Sequence, residues 1–285
     1  MQGHALCRLD WRYVEVWGVC DLSGRTYAVL KAGAPAPGRE GMCGLAVMAK
    51  APRAGKVKTR LQPPLSADEA AALNVCFLRD TAENIACVAR KGGAAGLICY
   101  TPVGDENAFD GLLPQDFALI AQRGEGFGER LHAGAQDILS CGLSAVCLID
   151  SDSPTLPASA LRSAVEELAR PGDRVVLGGS DDGGYYLIGL KQAHRCVFER
   201  ITWSTDSVYG ETVERVREAG LELVELPKWY DVDDAATLAT LERELLLDVR
   251  PAFARVAGYN AEHTRAFLAE RLRALEVNAR TEPVA

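Results

Sequence analysis

The chain has 285 residues, of which 48% are hydrophobic and 25% charged, with a formal net charge of −8. That length and composition suit one large α/β unit with extensions and supply ample material for a core. The acidic balance argues against a broad basic surface that grips nucleic acid by neutralising phosphates, and leaves room for a local pocket that takes a small anion.

Nine cysteines and four histidines include no Cys-x-x-Cys and no cluster with zinc-ligand spacing. Cys76, Cys99 and Cys147 lie in apolar segments, where a thiol behaves as a small hydrophobe. Reduced cysteines and a cytoplasmic location are the expectation. No apolar run approaches the ~20 residues of a membrane helix, and the N-terminus lacks a signal-peptide apolar region, so no membrane span is predicted.

In chain order, residues 11–32 carry two β-branched and aromatic runs around Asp21-Leu22-Ser23-Gly24, a plausible hairpin. A Pro/Gly linker, residues 33–41, then leads to Met42. Residues 1–41 are either an accessory segment or precede the true translation start at Met42. From there strands and helices alternate. Strands are predicted at Gly44–Ala49, Gly96–Thr101, Ala118–Gln122, Ala145–Ile149, Arg174–Leu177, Tyr185–Leu190 and Leu221–Leu226. Helices are predicted at Ser66–Arg90, with Ser66 and Glu69 forming a capping box, and at Gly128–Leu139, Ala158–Ala169, Ser207–Ala219 and Ala235–Leu246. Short apolar runs between amphipathic helices predict a mainly parallel central sheet covered on both faces, whose ligands bind at the carboxyl ends of the strands.

The loop after the first strand of this unit, "KAPRAGKVKTRL", places Lys50, Arg53, Lys56, Lys58 and Arg60 around a Pro and a Gly. Cations so dense in an acidic chain suggest an anion site, although a solvated basic loop has the same composition. It is no P-loop, because Gly55-Lys56 is followed by Val57 where that motif needs Ser or Thr, and the position five before Gly55 is Lys50.

In "LIDSDSPTL", an apolar strand ends at Asp150 and Asp152. Residues i and i+2 of an extended chain project to one side with Cα atoms about 6.5–7 Å apart, so both carboxylates can meet one ion. Two hard oxygen donors suit Mg²⁺ or Mn²⁺ shared with a substrate phosphate. Capping of the helix beginning near Pro157 is the plainer alternative. A phosphatase nucleophile of the Asp-x-Asp-x-Thr type fits poorly, since the fifth position is Pro154 and Thr155 comes one place late.

"GGSDDGGYYLIGL" sets Asp182, Gly183 and Gly184 before a Tyr/Leu strand, which suits either a hairpin turn or a corner that brings backbone N–H groups against a ligand. "KWYDVDDAATL" supplies a second alternating acidic pair, Asp231 and Asp233, beside Asp234. It could complete a metal shell or supply a base, while Asp233 or Asp234 could cap the next helix.

Taken together, "VMAKAPRAGKVKTRL", "GEGFGERL", "LIDSDSPTL", "LGGSDDGGYYLIGL", "FERITWST" and "YDVDDAATL" occur in an order that resembles the radical-SAM/selenodomain-associated transferase 1 family. This family lies in the nucleotide-diphospho-sugar transferase superfamily with the GT-A fold. The resemblance runs from about Met42 to Leu247 and divides the chain into an N-terminal extension (1–41), a GT-A-like domain (42–247) and a C-terminal helical extension (248–285), with a helix near Ala261–Leu275.

The resemblance implies that Lys50, Pro52, Gly55, Lys58, Thr59 and Arg60 serve the nucleotide and that Asp150, Asp152 and Asp231 bind metal. It further implies that Gly183, Gly184, Tyr185 and Trp203 face substrate, with Asp182 or Asp233 as the base. Ser153 stands where the family usually has Cys, Gly179-Ser180-Asp181 where Pro-Ala-Glu is usual, and Ala236-Thr237 where Glu-Asp is usual, which weakens any role for a carboxylate on that last helix. The implied activity is metal-dependent transfer of a sugar from a nucleoside-diphosphate sugar to a small acceptor. Nucleotidyl transfer of a guanylyltransferase kind, using a nucleoside triphosphate and a phosphorylated acceptor, is the alternative. A non-catalytic nucleotide-binding module is a third reading, because fold does not fix function.

Overall fold

The computed structural model describes residues 27–281. In chain order the elements are β1 (Ala28–Val29), β2 (Cys43–Lys50), α1 (Ala67–Ala89), β3 (Ala94–Thr101), β4 (Ala118–Ala121), α2 (Phe127–Ser140), β5 (Ala145–Ile149) and α3 (Ala158–Ala169). They continue with β6 (Arg174–Ser180), β7 (Tyr185–Leu190), α4 (Val208–Glu218), β8 (Glu222–Trp229), α5 (Ala235–Leu247) and α6 (Glu262–Thr281). The strands form one eight-stranded sheet in the order β1-β4-β3-β2-β5-β7-β6-β8.

Every pairing is parallel except those of β7, which runs antiparallel to both β5 and β6. The cause is local: only residues 181–184 separate β6 from β7, and a parallel crossover needs a dozen or more residues. The Asp-Gly-Gly corner is therefore a hairpin turn.

Alternation along β2 divides the core into two layers. Leu45, Val47 and Ala49 join the apolar cluster formed with α1, α3, α5 and α6, whereas Ala46 joins the opposite cluster with Leu131 and Ile138 of α2 and Val213 and Val216 of α4. The mainly parallel three-layer α/β architecture expected from the sequence is observed. Ser66 caps α1, its hydroxyl accepting from Glu69 N while the Glu69 carboxylate accepts from Ser66 N.

One expectation falls mostly outside the described residues, and one helix boundary is corrected. Most of the residue 11–32 hairpin lies outside the described residues, but its last part forms the short strand β1, which pairs parallel with β4, a contact between chain segments far apart in sequence. The C-terminal helix runs to Thr281, six residues past the predicted Leu275. Its start is fixed by α1: the buried Asp80 carboxylate accepts from His263 N (3.0 Å), Thr264 N (2.8 Å) and Thr264 Oγ1 (2.6 Å), satisfying orphan donors of the first turn of α6.

Candidate active site

Strand order reverses direction between β2 and β5, which place their following loops on either side of a crevice at their carboxyl ends. Lys50 closes β2 and opens the basic loop; Asp150 follows β5. The second acidic segment joins them through a backbone bond, Val232 N donating to Asp152 O at 2.9 Å. Behind it, Trp229 Nε1 donates to Thr155 Oγ1 at 3.2 Å, which in turn donates to Tyr230 OH at 3.3 Å, while Tyr230 OH donates to Glu244. These buried bonds lock the two acidic loops together.

The carboxylates crowd one another. Desolvation, then the charge of Asp152, pushes the Asp150 carboxyl well above its usual range, against the opposing 2.8 Å hydrogen bond from Ser153 Oγ. Desolvation, followed by Asp182 and Asp233, pushes Asp231 up to about 7.

Lys58 sits within this acidic group. Its backbone is left-handed (φ 48°), a conformation that costs a non-glycine residue energy, and its side chain is only 4% exposed. Nζ lies 2.6 Å from Val232 O, 2.9 Å from Asp152 Oδ1 and 3.2 Å from Asp233 Oδ1, so all three of its protons have an acceptor. Lys58, expected to serve the nucleotide, is ion-paired with Asp152 and Asp233. Burial opposes its charge, but the carboxylates of Asp152 and Asp233 prevail and raise its pKa. Arg60 Nη1 approaches Asp233 Oδ2 at 3.4 Å and stays largely exposed.

Two lobes meet at these residues. A basic lobe of about 240 Å³ is lined by Lys50, Lys56, Lys58, Thr59 and Arg60, together with Asn74 of α1. Pro52 and Gly55 shape the loop without lining it, Gly55 taking φ +70° at an exposed turn. A larger lobe of about 500 Å³ is lined by Asp150, Asp152, Asp182, Asp231 and Asp233, and by Gly184, Tyr185 and Trp203. Arg60, Asp152 and Asp233 belong to both.

In the larger lobe the Trp203 ring meets Phe127 edge-on at 5.2 Å and Tyr185 at 6.4 Å. Gly128 permits this approach, because a Cβ there would fall 2.7 Å from Trp203 Nε1. Gly183 is not in the lobe wall; it takes φ +92° and packs so tightly that a Cβ would lie 2.2 Å from Asp206 O. Its carbonyl accepts from Tyr209 N at 2.8 Å, joining the hairpin turn to the start of α4. Asp182 Oδ1 accepts from Gly184 N at 2.8 Å.

Sequence reading missed Phe127, Met48, Asp206 and Asn74, all of which line one lobe or the other. Phe127 lies inside the quoted "GEGFGERL" and Asp206 directly follows "FERITWST", so proximity to a motif was an available signal. Asn74, on a helix face that reads as core, gave none; its Oδ1 is buried without a partner among the described residues.

Asp150, Asp152 and Asp231 offer hard oxygen donors in one crevice, of which only Asp152 is ion-paired with Lys58, and that donor chemistry fits a divalent cation such as Mg²⁺ or Mn²⁺. Elsewhere, Asp80, Glu83 and His263 have ligand atoms all within 4.8 Å of one another. There Asp80 is occupied as the cap of α6 and His263 Nε2 is hydrogen-bonded to Glu83 at 2.9 Å. No described helix is long and apolar enough to cross a membrane, and the seven described cysteines are free.

The family described as an uncharacterized protein conserved in bacteria (DUF2064) matches residues 84–205. Among solved structures, the chain is similar to a Desulfovibrio desulfuricans G20 protein described as a candidate nucleotide-diphospho-sugar transferase. The identity is 32% and the TM-score 0.69, over 83% of this chain and 97% of that one. A CMP:2-keto-3-deoxy-manno-octonic acid synthetase complexed with CTP is more distant, with 12% identity and a TM-score of 0.48 over 73% of this chain and 100% of that one. So is a cytidylyltransferase from Leptospira borgpetersenii serovar Hardjo-bovis, with 11% identity and a TM-score of 0.45 over 86% and 100%. No curated protein matches the chain. Identity of 32% across nearly the whole Desulfovibrio chain, on the same α/β sheet, is kinship rather than shared architecture alone. This chain therefore belongs to the same family, a family of transferases with the nucleotide-diphospho-sugar transferase fold.

Proposed function

We propose that the protein transfers a sugar from a nucleoside-diphosphate sugar to the hydroxyl of a small-molecule acceptor, with a divalent cation. The observation that supports this most is the two-lobed crevice: a basic lobe suited to the phosphate-bearing half of a donor joins an acidic, aromatic lobe suited to an uncharged ring. Residues 42–247 form the transferase unit in this reading, with 1–41 and 248–285 appended. The six ordered motifs support the narrower kinship with radical-SAM/selenodomain-associated transferase 1.

Lys50, Lys56, Thr59 and Arg60 bind the nucleotide side of the donor. Asp150, Asp152 and Asp231 would hold Mg²⁺ or Mn²⁺, which would neutralise the diphosphate leaving group. Lys58 positions Asp152 and Asp233 rather than gripping phosphate. Asp182 is the better base, because its one hydrogen bond comes from Gly184 N, whereas Asp233 is paired with Lys58 and Arg60. Asp182 takes the acceptor's hydroxyl proton as the oxygen bonds to the anomeric carbon and the bond from that carbon to the diphosphate breaks. Trp203 and Tyr185 hold the ring and exclude water.

Calorimetry with nucleoside-diphosphate sugars and with nucleoside triphosphates, each with and without Mn²⁺, tests the reading. Metal-dependent binding of a nucleotide sugar with triphosphates ignored is the expected result. Preference for a triphosphate, with pyrophosphate released on turnover, would replace it with nucleotidyl transfer.

A further inference from the structure

A second cleft, of about 410 Å³, lies on the far half of α1, between that helix, the loop at residues 111–114 and the chain that enters α6. At 1.5 Å per residue, Arg79 stands about 20 Å and Arg90 about 36 Å along the helix from Ser66, which adjoins the basic loop. The cleft is thus remote from the crevice at the strand ends, and nothing in the proposed reaction uses it.

Its charge is unusual for a protein of net charge −8. Among the described residues, the Arg79 guanidinium has no hydrogen-bond or ion-pair partner, and the side-chain bond of Arg90 runs from Nη2 to Cys87 Sγ at 2.8 Å. The one carboxylate in the lining, Glu83, is bonded to His263 Nε2 at 2.9 Å. Two guanidiniums therefore face a cleft whose acidic group is already paired. Leu112 and Pro114 give the opposite wall an apolar surface, and Tyr259 adds an aromatic one. Guanidinium groups bind planar or tetrahedral oxyanions through paired N–H donors, and a volume in this range suits a small organic ligand.

We propose that this cleft is a second ligand site, which binds a small organic oxyanion, a phosphate ester or a carboxylate with a compact apolar body, through Arg79 and Arg90. Tyr259 and His263 belong to the C-terminal segment, so that segment forms part of the site wall as well as packing on α1 through α6.

The test is calorimetric titration of the full chain with phenyl phosphate, benzoate and, as the neutral control, benzyl alcohol. One or both anions should bind and the alcohol should not. In the double variant Arg79→Gln/Arg90→Gln the anion affinity should fall at least about tenfold, the loss expected when charge-assisted bonds are removed. Both side chains are at least partly exposed, so the melting temperature should stay within a few degrees of wild type and serves as the folding control. In Lys50→Gln/Lys56→Gln, which alters the other basic lobe, the affinity should not change. No binding of either anion up to about 10 mM would overturn the proposal. So would affinity that survives the double arginine variant, or that disappears in the lysine variant.

Discussion

Lys58 Nζ lies 2.9 Å from Asp152 Oδ1, and the same ammonium reaches Asp233, so the first loop is tied to both acidic loops by one buried cation. Lys58→Met would leave two crowded carboxylates without their counter-ion. Loss of a buried partner costs about 3–5 kcal/mol, and the aspartates' exposure of 32% and 34% brings the expectation down to about 2–3 kcal/mol. A thermal melt should show a drop of about 5–10 °C at neutral pH. Because the folded pKa of Lys58 is raised above 10.5, its contribution is fully present below that pH and is lost only as pH rises through the higher folded value. An unchanged melt would show that the pair is energetically idle.

Asp150→Asn should separate folding from binding. The amide keeps the side chain's shape and can still accept the hydrogen bond from Ser153 Oγ, while one ionisable member of a mutually repelling acidic group is removed. The expected melting temperature is within about 3 °C of wild type, with Mn²⁺-dependent nucleotide-sugar binding lost. Metal-dependent binding equal to wild type would remove Asp150 from the metal site.

Gly183→Ala should damage the hairpin corner. Its φ of +92° disfavours any side chain, and the added Cβ would stand 2.2 Å from Asp206 O, so the turn and the segment before α4 must separate. A loss of about 2 kcal/mol or more is expected in denaturant unfolding, together with weakened binding in the larger lobe as Asp182 and Asp206 move. Wild-type stability would contradict the packing described.

The His263–Glu83 pair sets a pH dependence for the docking of α6. The hydrogen bond that His263 Nε2 donates to the Glu83 carboxylate is the main reason that His263 is raised above 6.5; burial and the Arg79 charge oppose the rise, and Asp80 adds to it. A raised histidine stabilises fully below 6.5 and ceases to do so as pH climbs through its folded pKa. Glu83 is lowered, chiefly by the same bond, so its contribution is present above 4.5 and fades as pH falls through its folded value. With the partners 35% and 46% exposed, the pair contributes about 0.5–1 kcal/mol. Melts of wild type and His263→Gln should therefore differ most between pH 5 and 6 and converge as the pH climbs through the raised folded pKa of His263. A constant difference across that range would assign the effect to packing.

Element type and order were largely legible in the sequence, because the signals for them are local. β5, α3 and β7 lie where periodicity places them, and the Ser66/Glu69 capping box forms as read. The acidic pair after β5 was legible for the same reason: an apolar run that ends in two carboxylates announces a strand edge. Long-range partners were not. β1 pairs with β4 although Ala28 and its partner Ala118 stand far apart in sequence, and Asp80 of α1 caps a helix whose first turn lies more than 180 residues away.

The roles within the basic loop show the same division. Composition determined that "KAPRAGKVKTRL" carries cations at the ligand edge of the sheet, since charge and position after a strand are properties of the chain itself. Only the tertiary structure decided that, of the lysines lining the basic lobe, Lys58 is the one ion-paired with Asp152 and Asp233. Which cation stays free depends on which carboxylates the fold brings within about 3 Å of it, and Coulomb attraction between groups so distant in sequence exists only after the sheet has assembled.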